Sequence, residues 1–205
     1  MQTSPSSTHS SRSHKCGPDT KALTWGMHDD LDDTFQELLD AQQKRRLPPV
    51  HLWHPEHTGS IDIRIDRDGV WYHQGRRIER QALCTLFATI LRRDDDTYYL
   101  VTPQERLEIQ VEDVPFIGID LEVRNPGSNA SELMVSTNMG DHVVVDADHP
   151  LMLCDDIPYV DVRNGLLARL NRNTYYRLID AGMKEAGEWV IYSAGARFTM
   201  GRVDE

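Results

Sequence analysis

A series of short apolar runs separated by turn residues fills most of the chain after residue 97, and it constrains the fold more than any other feature. Runs of this length, rich in Val, Ile, Leu and Tyr, are typical of β-strands. Segments such as Asn138-Met139-Gly140 and Asn125-Pro126-Gly127 between them are typical of turns. The predicted strands are Tyr98–Val101, Leu107–Val111, Phe116–Val123, Leu133–Thr137, Val143–Val145, Leu151–Leu153, Tyr159–Val162 and Trp189–Tyr192.

A β-hairpin is predicted before this series. Isoleucine occupies every second position from 61 to 65, and Asp68-Gly69 is typical of a two-residue hairpin turn. With that turn, Ile65 faces Tyr72 and Asp66 faces Trp71, so Trp71 shares a face with charged side chains. Two interpretations stay open: another element covers Trp71, or the ring forms a stacking wall for a ligand.

Two long amphipathic helices are predicted, one within each part of the strand series. The first spans Glu79–Arg93, because apolar residues recur there at helical spacing. Asp94 to Asp96 then form a solvated turn. The second begins at Asn164 as N-cap, runs through Leu166 and Ile179, and stops at Gly182. The fold class predicted is therefore α+β, with two small β-rich modules.

The first 47 residues differ in character from the rest. Residues 1–28 are rich in Ser, Thr and His and have little to bury, so we expect a disordered tail. Residues 29–47 predict an acidic helix, with aspartates in its first turn and Lys44 to Arg46 in its last turn. Its apolar stripe consists of Leu31, Phe35, Leu38 and Leu39.

Composition excludes several classes of function. The net charge of −11 argues against binding to duplex nucleic acid or to a membrane surface, both of which rely on clustered Lys and Arg. No run is long and apolar enough for a membrane helix, and the N-terminus lacks the apolar core of a secretory signal. Three widely spaced cysteines indicate neither a disulfide framework nor a zinc site. We expect a cytoplasmic protein.

Catalytic and cofactor motifs are missing from the sequence, which contains no GxSxG, HExxH, P-loop or GxGxxG. His51, His54 and His57 could hold zinc or nickel if they converged, but neighbouring prolines favour an extended loop that fixes no such convergence. The sequence therefore predicts no cofactor and no metal, and it favours a protein without catalytic activity.

One group of residues favours ligand binding. Arg163 and Asn164 precede the predicted last helix, whose first N–H groups can hold an anion. Thr137, Asn138 and Gly140 form a polar turn between predicted strands. The alternative is an ordinary surface helix whose two tyrosines pack inward. The helix carries Arg169, Arg172, Tyr175, Tyr176 and Arg177.

Seven motifs, in one order, resemble the bacterial domain-of-unknown-function family 1285 between about Pro48 and Gly201. They are GSIDIRIDRDGVWY from Gly59, LFATILRR from Leu86, YYLVTP from Tyr98, VEDVPF from Val111, TNMGD from Thr137, HPL from His149 and YVDVRNGL from Tyr159. The resemblance implies a two-part core with an apparent duplication, divided here into residues 48–113 and 114–205. It implies that the second part is a bent barrel like a pleckstrin-homology domain, closed by a helix.

The resemblance also implies a ligand pocket between the halves, for a nucleotide-like molecule, and a signalling role. The leading hypothesis is a ligand-sensing module; a protein–protein adaptor and a metal-dependent enzyme are the alternatives. In the first of these, Trp71 or a tyrosine stacks a base, while Arg163 and the Asn138–Gly140 turn contact phosphate. The residues carried over as ligand-binding candidates are Trp71, Tyr98, Thr102, Asn138, Gly140, Asp141, Arg163 and Tyr175.

Overall fold

The computed structural model of the chain describes residues 47–126 and 131–202. The predicted tail, almost all of the predicted acidic helix, and part of the predicted turn after Asn125 lie outside these ranges. The described residues are mainly β-structure, with two α-helices and a 3-10 turn at Val50–Leu52. The helices are α1 (Gln81–Thr89) and α2 (Arg172–Asp180).

The first six strands form one sheet, called the N-sheet. Its order is β3-β2-β1-β6-β5-β4, with β1 and β6 parallel at the centre. Ile63 and Ile65 point into the core from β1, because successive side chains of a strand alternate between its two faces. Helix α1 connects β3 to β4. The strands are β1 (His57–Ile65), β2 (Trp71–His73), β3 (Arg76–Arg77), β4 (Leu91–Asp94), β5 (Thr97–Val101) and β6 (Glu105–Val111).

The next six strands form a second sheet, called the C-sheet, which curves into a half-barrel. Its order is β9-β8-β7-β12-β11-β10, with β7 and β12 parallel at the centre. Each sheet thus consists of two antiparallel meanders joined by one parallel pair. The strands are β7 (Phe116–Arg124), β8 (Glu132–Thr137), β9 (His142–Val144), β10 (Leu151–Cys154), β11 (Ile157–Arg163) and β12 (Leu166–Leu170).

A three-stranded antiparallel sheet follows α2. Its strands are β13 (Met183–Glu185), β14 (Glu188–Ser193) and β15 (Ala196–Arg202). β15 packs beside β10, β14 beside β8, and α2 against β7. The Oγ of Ser193 accepts a hydrogen bond of 2.8 Å from the N–H of Leu133, which ties β14 to the C-sheet. This last sheet and α2 therefore both pack against the C-sheet.

The predicted strands are confirmed, each within a few residues of its expected bounds. The predicted helix Glu79–Arg93 is too long, because α1 ends at Thr89 and Leu91 begins β4. Leu91 is 1% exposed, as the helical pattern also required. Apolar spacing reports burial, and a short buried strand directly after a helix continues that pattern. Asp95 and Asp96 consequently form the turn between β4 and β5.

The predicted start of the last helix is wrong by seven residues. Asn164 is a turn residue between β11 and β12, with φ of +48°, followed by Gly165 with φ of +77°. The N-cap is Asn171, whose side-chain oxygen accepts a 2.9 Å hydrogen bond from the N–H of Thr174. Asn-Gly is a strong hairpin signal, and it competes with the capping role that we assigned to Asn164.

The predicted hairpin register is wrong by one residue. Ile65 pairs with Trp71, so the connection between the strands is longer than two residues. The carboxylate of Asp66 shapes this loop by accepting 2.9 Å hydrogen bonds from the N–H groups of Asp68 and Val70. A shift of one residue moves every side chain of a strand to the other face. Trp71 therefore joins the core at 1% exposure, 6.0 Å from the ring of Phe87.

Candidate ligand site at the seam between the halves

The contact between the N-sheet half (residues 47–113) and the C-sheet half (residues 114–202), called the seam, centres on Arg163 at the end of β11. Its Nη1 donates to Oδ1 of Asp141 at 2.5 Å, and its Nη2 donates to the carbonyl oxygen of Ala88 in α1 at 2.8 Å. Its Cζ lies 4.9 Å from the centroid of the Phe116 ring. Arg163 and Asp141 are largely buried, with 15% and 19% of their side chains exposed. One guanidinium thus connects β11, β7, the β8–β9 turn and α1.

The turn between β8 and β9 is fixed by its own side chains. Thr137 is 3% exposed, and its hydroxyl donates to Oδ2 of Asp141 at 3.2 Å. The same Oγ1 accepts from the N–H groups of Met139 and Asp141. Gly140 completes the turn with a φ of +89°, a conformation that favours glycine. These contacts within the turn therefore hold the Asp141 carboxylate in place independently of Arg163.

Asn138 anchors this turn across the seam. Its backbone and its side-chain oxygen exchange hydrogen bonds of 2.9 and 3.0 Å with the backbone of Ile117. Its Nδ2 donates to the carbonyl of Gly69 at 3.4 Å, and its own carbonyl accepts from Gln81 at 3.2 Å. Gly69 and Gln81 belong to the N-sheet half, so the turn binds both halves.

A second group of contacts crosses the seam around Asp113, in the segment that joins β6 to β7. Its carboxylate accepts a 3.2 Å hydrogen bond from the hydroxyl of Tyr159 and lies 3.4 Å from Nε of Arg169. Arg169 also donates to the carbonyl of Arg67. Burial raises the pKa of the Tyr159 phenol, and the charge of Asp113 raises it further. The phenol therefore stays protonated and donates to the carboxylate.

A cavity of about 460 Å³, called the seam pocket, opens beside Arg163 and Asp141. His142 and His149 line it, and its apolar wall includes Val143, Val144 and Val162. Nδ1 of His142 lies 2.9 Å from the Ser136 hydroxyl, and Nδ1 of His149 lies 3.0 Å from Oδ1 of Asp146. The pocket wall thus carries the guanidinium of Arg163 and two imidazoles beside the carboxylates of Asp141 and Asp146.

One of the pocket's carboxylates has a perturbed acidity. Asp146 accepts hydrogen bonds from the N–H groups of His149 and Asp148, at 2.7 and 2.9 Å. Burial opposes ionisation there. The N–H of His149, its ring and the N–H of Asp148 outweigh that effect and hold the pKa of Asp146 below its usual range. Asp146 is therefore a carboxylate at neutral pH, and it lies against the His149 ring.

The structure brings together half of the predicted ligand residues. Asn138, Gly140 and Asp141 lie in the β8–β9 turn, and Arg163 is the hydrogen-bond partner of Asp141. The predicted anion site at a helix N-terminus is wrong, because a strand follows Arg163. Trp71 is in the core, where neither ring face is open to a ligand.

The other three predicted residues lie on separate elements. Tyr98 is in β5, where Arg93 lies 5.8 Å from its ring centroid and also donates to the carbonyl of Gly165 at 3.4 Å. Burial raises the pKa of Tyr98. Thr102 closes a local turn with Glu105. Tyr175 stacks on Tyr176 in α2 at 6.3 Å and packs against the core.

Several groups of the seam were missed from the sequence. A backbone carbonyl such as that of Ala88 carries no sequence signal. Gln81 and Phe116 looked like ordinary helix and strand residues. His142 and His149 each lie in or beside a quoted motif, TNMGD and HPL, so closeness to Arg163 could have been suspected.

The histidines of the predicted metal loop are spread along residues 51–57. His51 lies in the 3-10 turn and His57 begins β1. In the described ranges, no three or more His, Cys, Asp or Glu side chains are grouped in a way that would hold a metal ion. Neither helix that the structure describes combines the length and the apolar character that crossing a bilayer requires.

A larger cleft of about 850 Å³ lies between α2, the end of β7 and the last sheet. Val123, Met183 and Tyr192 line it and are 40%, 54% and 40% exposed. Pro126 and Ser131 also line it, on either side of residues 127–130, which lie outside the described ranges.

Two six-stranded sheets tied by an arginine-centred seam, with a third, three-stranded sheet packed on the second, define a two-part β-domain protein. Comparison with known proteins gives its family. Residues 48–114 match the family described as "Domain of unknown function (DUF1285), N-terminal domain". Residues 115–200 match "Protein of unknown function (DUF1285), C-terminal domain". The chain belongs to the DUF1285 family, which confirms the resemblance seen in its motifs.

Two solved structures of this family are similar to the chain. A crystal structure of a DUF1285 family protein from Silicibacter pomeroyi DSS-3 is 39% identical, covers 81% of this chain and 95% of its own, and has a TM-score of 0.73. A DUF1285 family protein from Shewanella baltica OS155 is 34% identical, covers 58% of this chain and 90% of its own, and has a TM-score of 0.50. No curated protein matches the chain.

Proposed function

We propose that the chain is a non-catalytic, cytoplasmic module that senses a small anionic ligand, nucleotide-like in its phosphate group, in the seam pocket. One observation carries the proposal: the guanidinium of Arg163 lies at the contact between the two halves and also lines a cavity of ligand size. Guanidinium has five N–H donors, and the contacts described above with Asp141 and Ala88 use two of them. The remaining donors can meet phosphate oxygens.

The pocket favours recognition of phosphate over recognition of a base. Burial of Trp71 removes the predicted stacking wall, and Tyr98 already lies under Arg93. His142 and His149 add positive charge when protonated, which strengthens binding of an anion. A ligand held here touches β9 and β11, and the β8–β9 turn beside it reaches α1 through the hydrogen bond from Gln81 to the carbonyl of Asn138. Binding is thus coupled to the packing of the two halves, which is what a sensor requires.

The same proposal includes the finer description of the fold. We infer a duplication, supported by the identical order and direction of strands in the N-sheet and the C-sheet. The position of the helices differs, since α1 lies between the two meanders of the first sheet and α2 follows the second sheet. Likeness of the second half to a pleckstrin-homology domain is supported by a half-barrel followed by a helix. The three strands after α2 depart from that pattern.

Thermal shift with AMP, GMP and inorganic phosphate tests the proposal, because a ligand of the folded state raises its apparent stability. We expect at least one probe to stabilise the wild type and to lose that effect in Arg163→Lys, measured against each protein without ligand. Arg177→Lys is the control, since Arg177 pairs with Asp120 on the exposed side of α2 and β7. The proposal is contradicted if no probe stabilises the wild type at a concentration about a hundred times a Kd in the micromolar to millimolar range. It is also contradicted if the control variant loses the stabilisation as fully as Arg163→Lys does.

A further inference from the structure

The seam pocket offers a ligand both hydrogen-bond donors and hydrogen-bond acceptors. Arg163 supplies only donors, because a guanidinium accepts no hydrogen bond. Asp141, Asp146 and His149 line the same cavity and supply acceptors. A polar group that loses water on ligand binding and gains no partner lowers the affinity. The acceptors therefore restrict which anions the pocket can hold.

The carboxylate of Asp141 already has a partner at each oxygen. Its Oδ1 accepts from Nη1 of Arg163 at 2.5 Å, and its Oδ2 accepts from the hydroxyl of Thr137 at 3.2 Å. The contact with Arg163 is also an ion pair, which balances the negative charge of Asp141. The acceptor that matters most for a ligand is therefore the other carboxylate.

The carboxylate of Asp146 is satisfied at one oxygen only. Its Oδ1 accepts from the N–H of Asp148, the N–H of His149 and Nδ1 of the His149 ring, at 2.9, 2.7 and 3.0 Å. No hydrogen bond from the residues that the structure describes reaches Oδ2 of Asp146, and a third of the side chain is exposed. Because the pKa of Asp146 lies below its usual range, Oδ2 accepts hydrogen bonds at neutral pH and donates none.

His149 adds a second acceptor beside Asp146 whenever its ring is neutral. A carboxylate can only accept, so the hydrogen bond between Nδ1 and Oδ1 of Asp146 places a proton on Nδ1. In a neutral imidazole the other nitrogen, Nε2, is then an acceptor. Oδ2 of Asp146 and Nε2 of His149 thus form an acceptor side of the pocket, and Arg163 forms its donor side.

We propose that the seam pocket selects oxyanions that also carry a hydrogen-bond donor, and that Asp146 imposes this selection. The inference rests on the proposed function and narrows its ligand class. Hydrogen phosphate qualifies, because at neutral pH it keeps a hydroxyl that can donate to Asp146 while its other oxygens accept from Arg163. Sulfate has the same tetrahedral shape but no proton at neutral pH, so it would set a charged oxygen against a carboxylate oxygen. In a larger phosphate ester, a hydroxyl or amino group next to the phosphate supplies the donor.

Isothermal titration calorimetry of the full-length protein with inorganic phosphate and with sulfate, at neutral pH and fixed ionic strength, tests the proposal. We expect the wild type to bind phosphate at least about tenfold more tightly than sulfate, because an acceptor left facing an anion loses a hydrogen bond to a charged group. In Asp146→Asn, the amide oxygen can keep the N–H contacts of the loop while Oδ2 becomes a donor, so sulfate should bind within about twofold of phosphate. Asp148→Asn is the matched control, because it removes the same charge from an exposed side chain two residues away. Its preference for phosphate should equal that of the wild type.

Four results overturn the selection by Asp146. They are equal affinities for the two ions in the wild type, a preference that survives in Asp146→Asn, a preference lost as fully in Asp148→Asn, and no binding of phosphate to the wild type. Equal affinities that both fall in Arg163→Lys leave the proposed anion site standing and overturn only this inference. If neither ion binds and no nucleotide raises the melting temperature, the proposed function fails together with it.

Discussion

At the scale of single residues, a pair of glycines distinguishes the effect of backbone conformation on stability from the effect of packing at the seam. Gly69 and Gly75 have nearly the same φ, +73° and +72°. A Cβ on Gly69 would lie 2.7 Å from Nδ2 of Asn138 and 2.8 Å from Cγ1 of Ile117, whereas a Cβ on Gly75 would meet nothing within 4 Å. Only Gly69 is required to be glycine by the opposite half of the molecule.

We therefore expect Gly69→Ala to destabilise the protein more than Gly75→Ala. Both substitutions strain a positive φ, at a cost of about 1 kcal/mol. Gly69→Ala adds overpacking against Asn138 and Ile117, about 2 kcal/mol more. Urea denaturation at equilibrium measures both as losses in free energy of unfolding. Equal losses would mean that the seam yields to a methyl group and is not closely packed at this point.

At the scale of elements, the start of α2 depends on Asn171. Its side chain satisfies the N–H of Thr174, one of the donors that a helix N-terminus leaves without an internal partner. We expect Asn171→Ala to lower the free energy of unfolding by about 1 kcal/mol, and Asn171→Asp to retain most of it. Asn164→Gly is the control, because glycine tolerates the positive φ of that turn. If Asn171→Ala costs no more than this control, the side chain of Asn171 is not what stabilises the start of α2.

The elements also show what a sequence can predict. The eight strands predicted after residue 97 were located correctly because local turn signals bound each run, whereas β12 (Leu166–Leu170) was predicted as part of the last helix. The register of the first hairpin was predicted wrongly, because the length of the Asp66–Val70 loop depends on side-chain hydrogen bonds that only the folded loop contains. The end of α1 was missed because Leu91 stays buried on leaving the helix. Apolar periodicity cannot distinguish a buried helical residue from a buried residue in a strand that follows the helix directly.

The candidate site was predictable in part for the same reason. The motif around Thr137 supplies Asn138, Gly140 and Asp141 from one turn, so their proximity follows from chain continuity. Arg163 comes from a different meander, and only the pairing of β7 with β12 and β8 brings it near the turn. Its contact with the Ala88 carbonyl depends on how α1 packs, which no pattern of residue types encodes.

At the scale of the whole molecule, the seam determines whether the halves unfold together. Arg163 bridges them while largely buried, and removal of one partner from a buried pair leaves the other charge unpaired. We expect wild-type protein to unfold in one transition, with calorimetric and van't Hoff enthalpies equal. We expect Arg163→Ala to lower the free energy of unfolding by about 3 kcal/mol.

The matched control is Arg177→Ala, because Arg177 and Asp120 are each 56% exposed and their ion pair lies within the C-sheet half. Exposed pairs contribute about 1 kcal/mol or less, so its transition should shift little and stay single. In Arg163→Ala, the weakened seam should let the halves separate, and a calorimetric enthalpy larger than the van't Hoff enthalpy would report it. Two transitions in the wild type, or equal shifts in both variants, would mean that the halves are stable independently and that Arg163 is not what couples them.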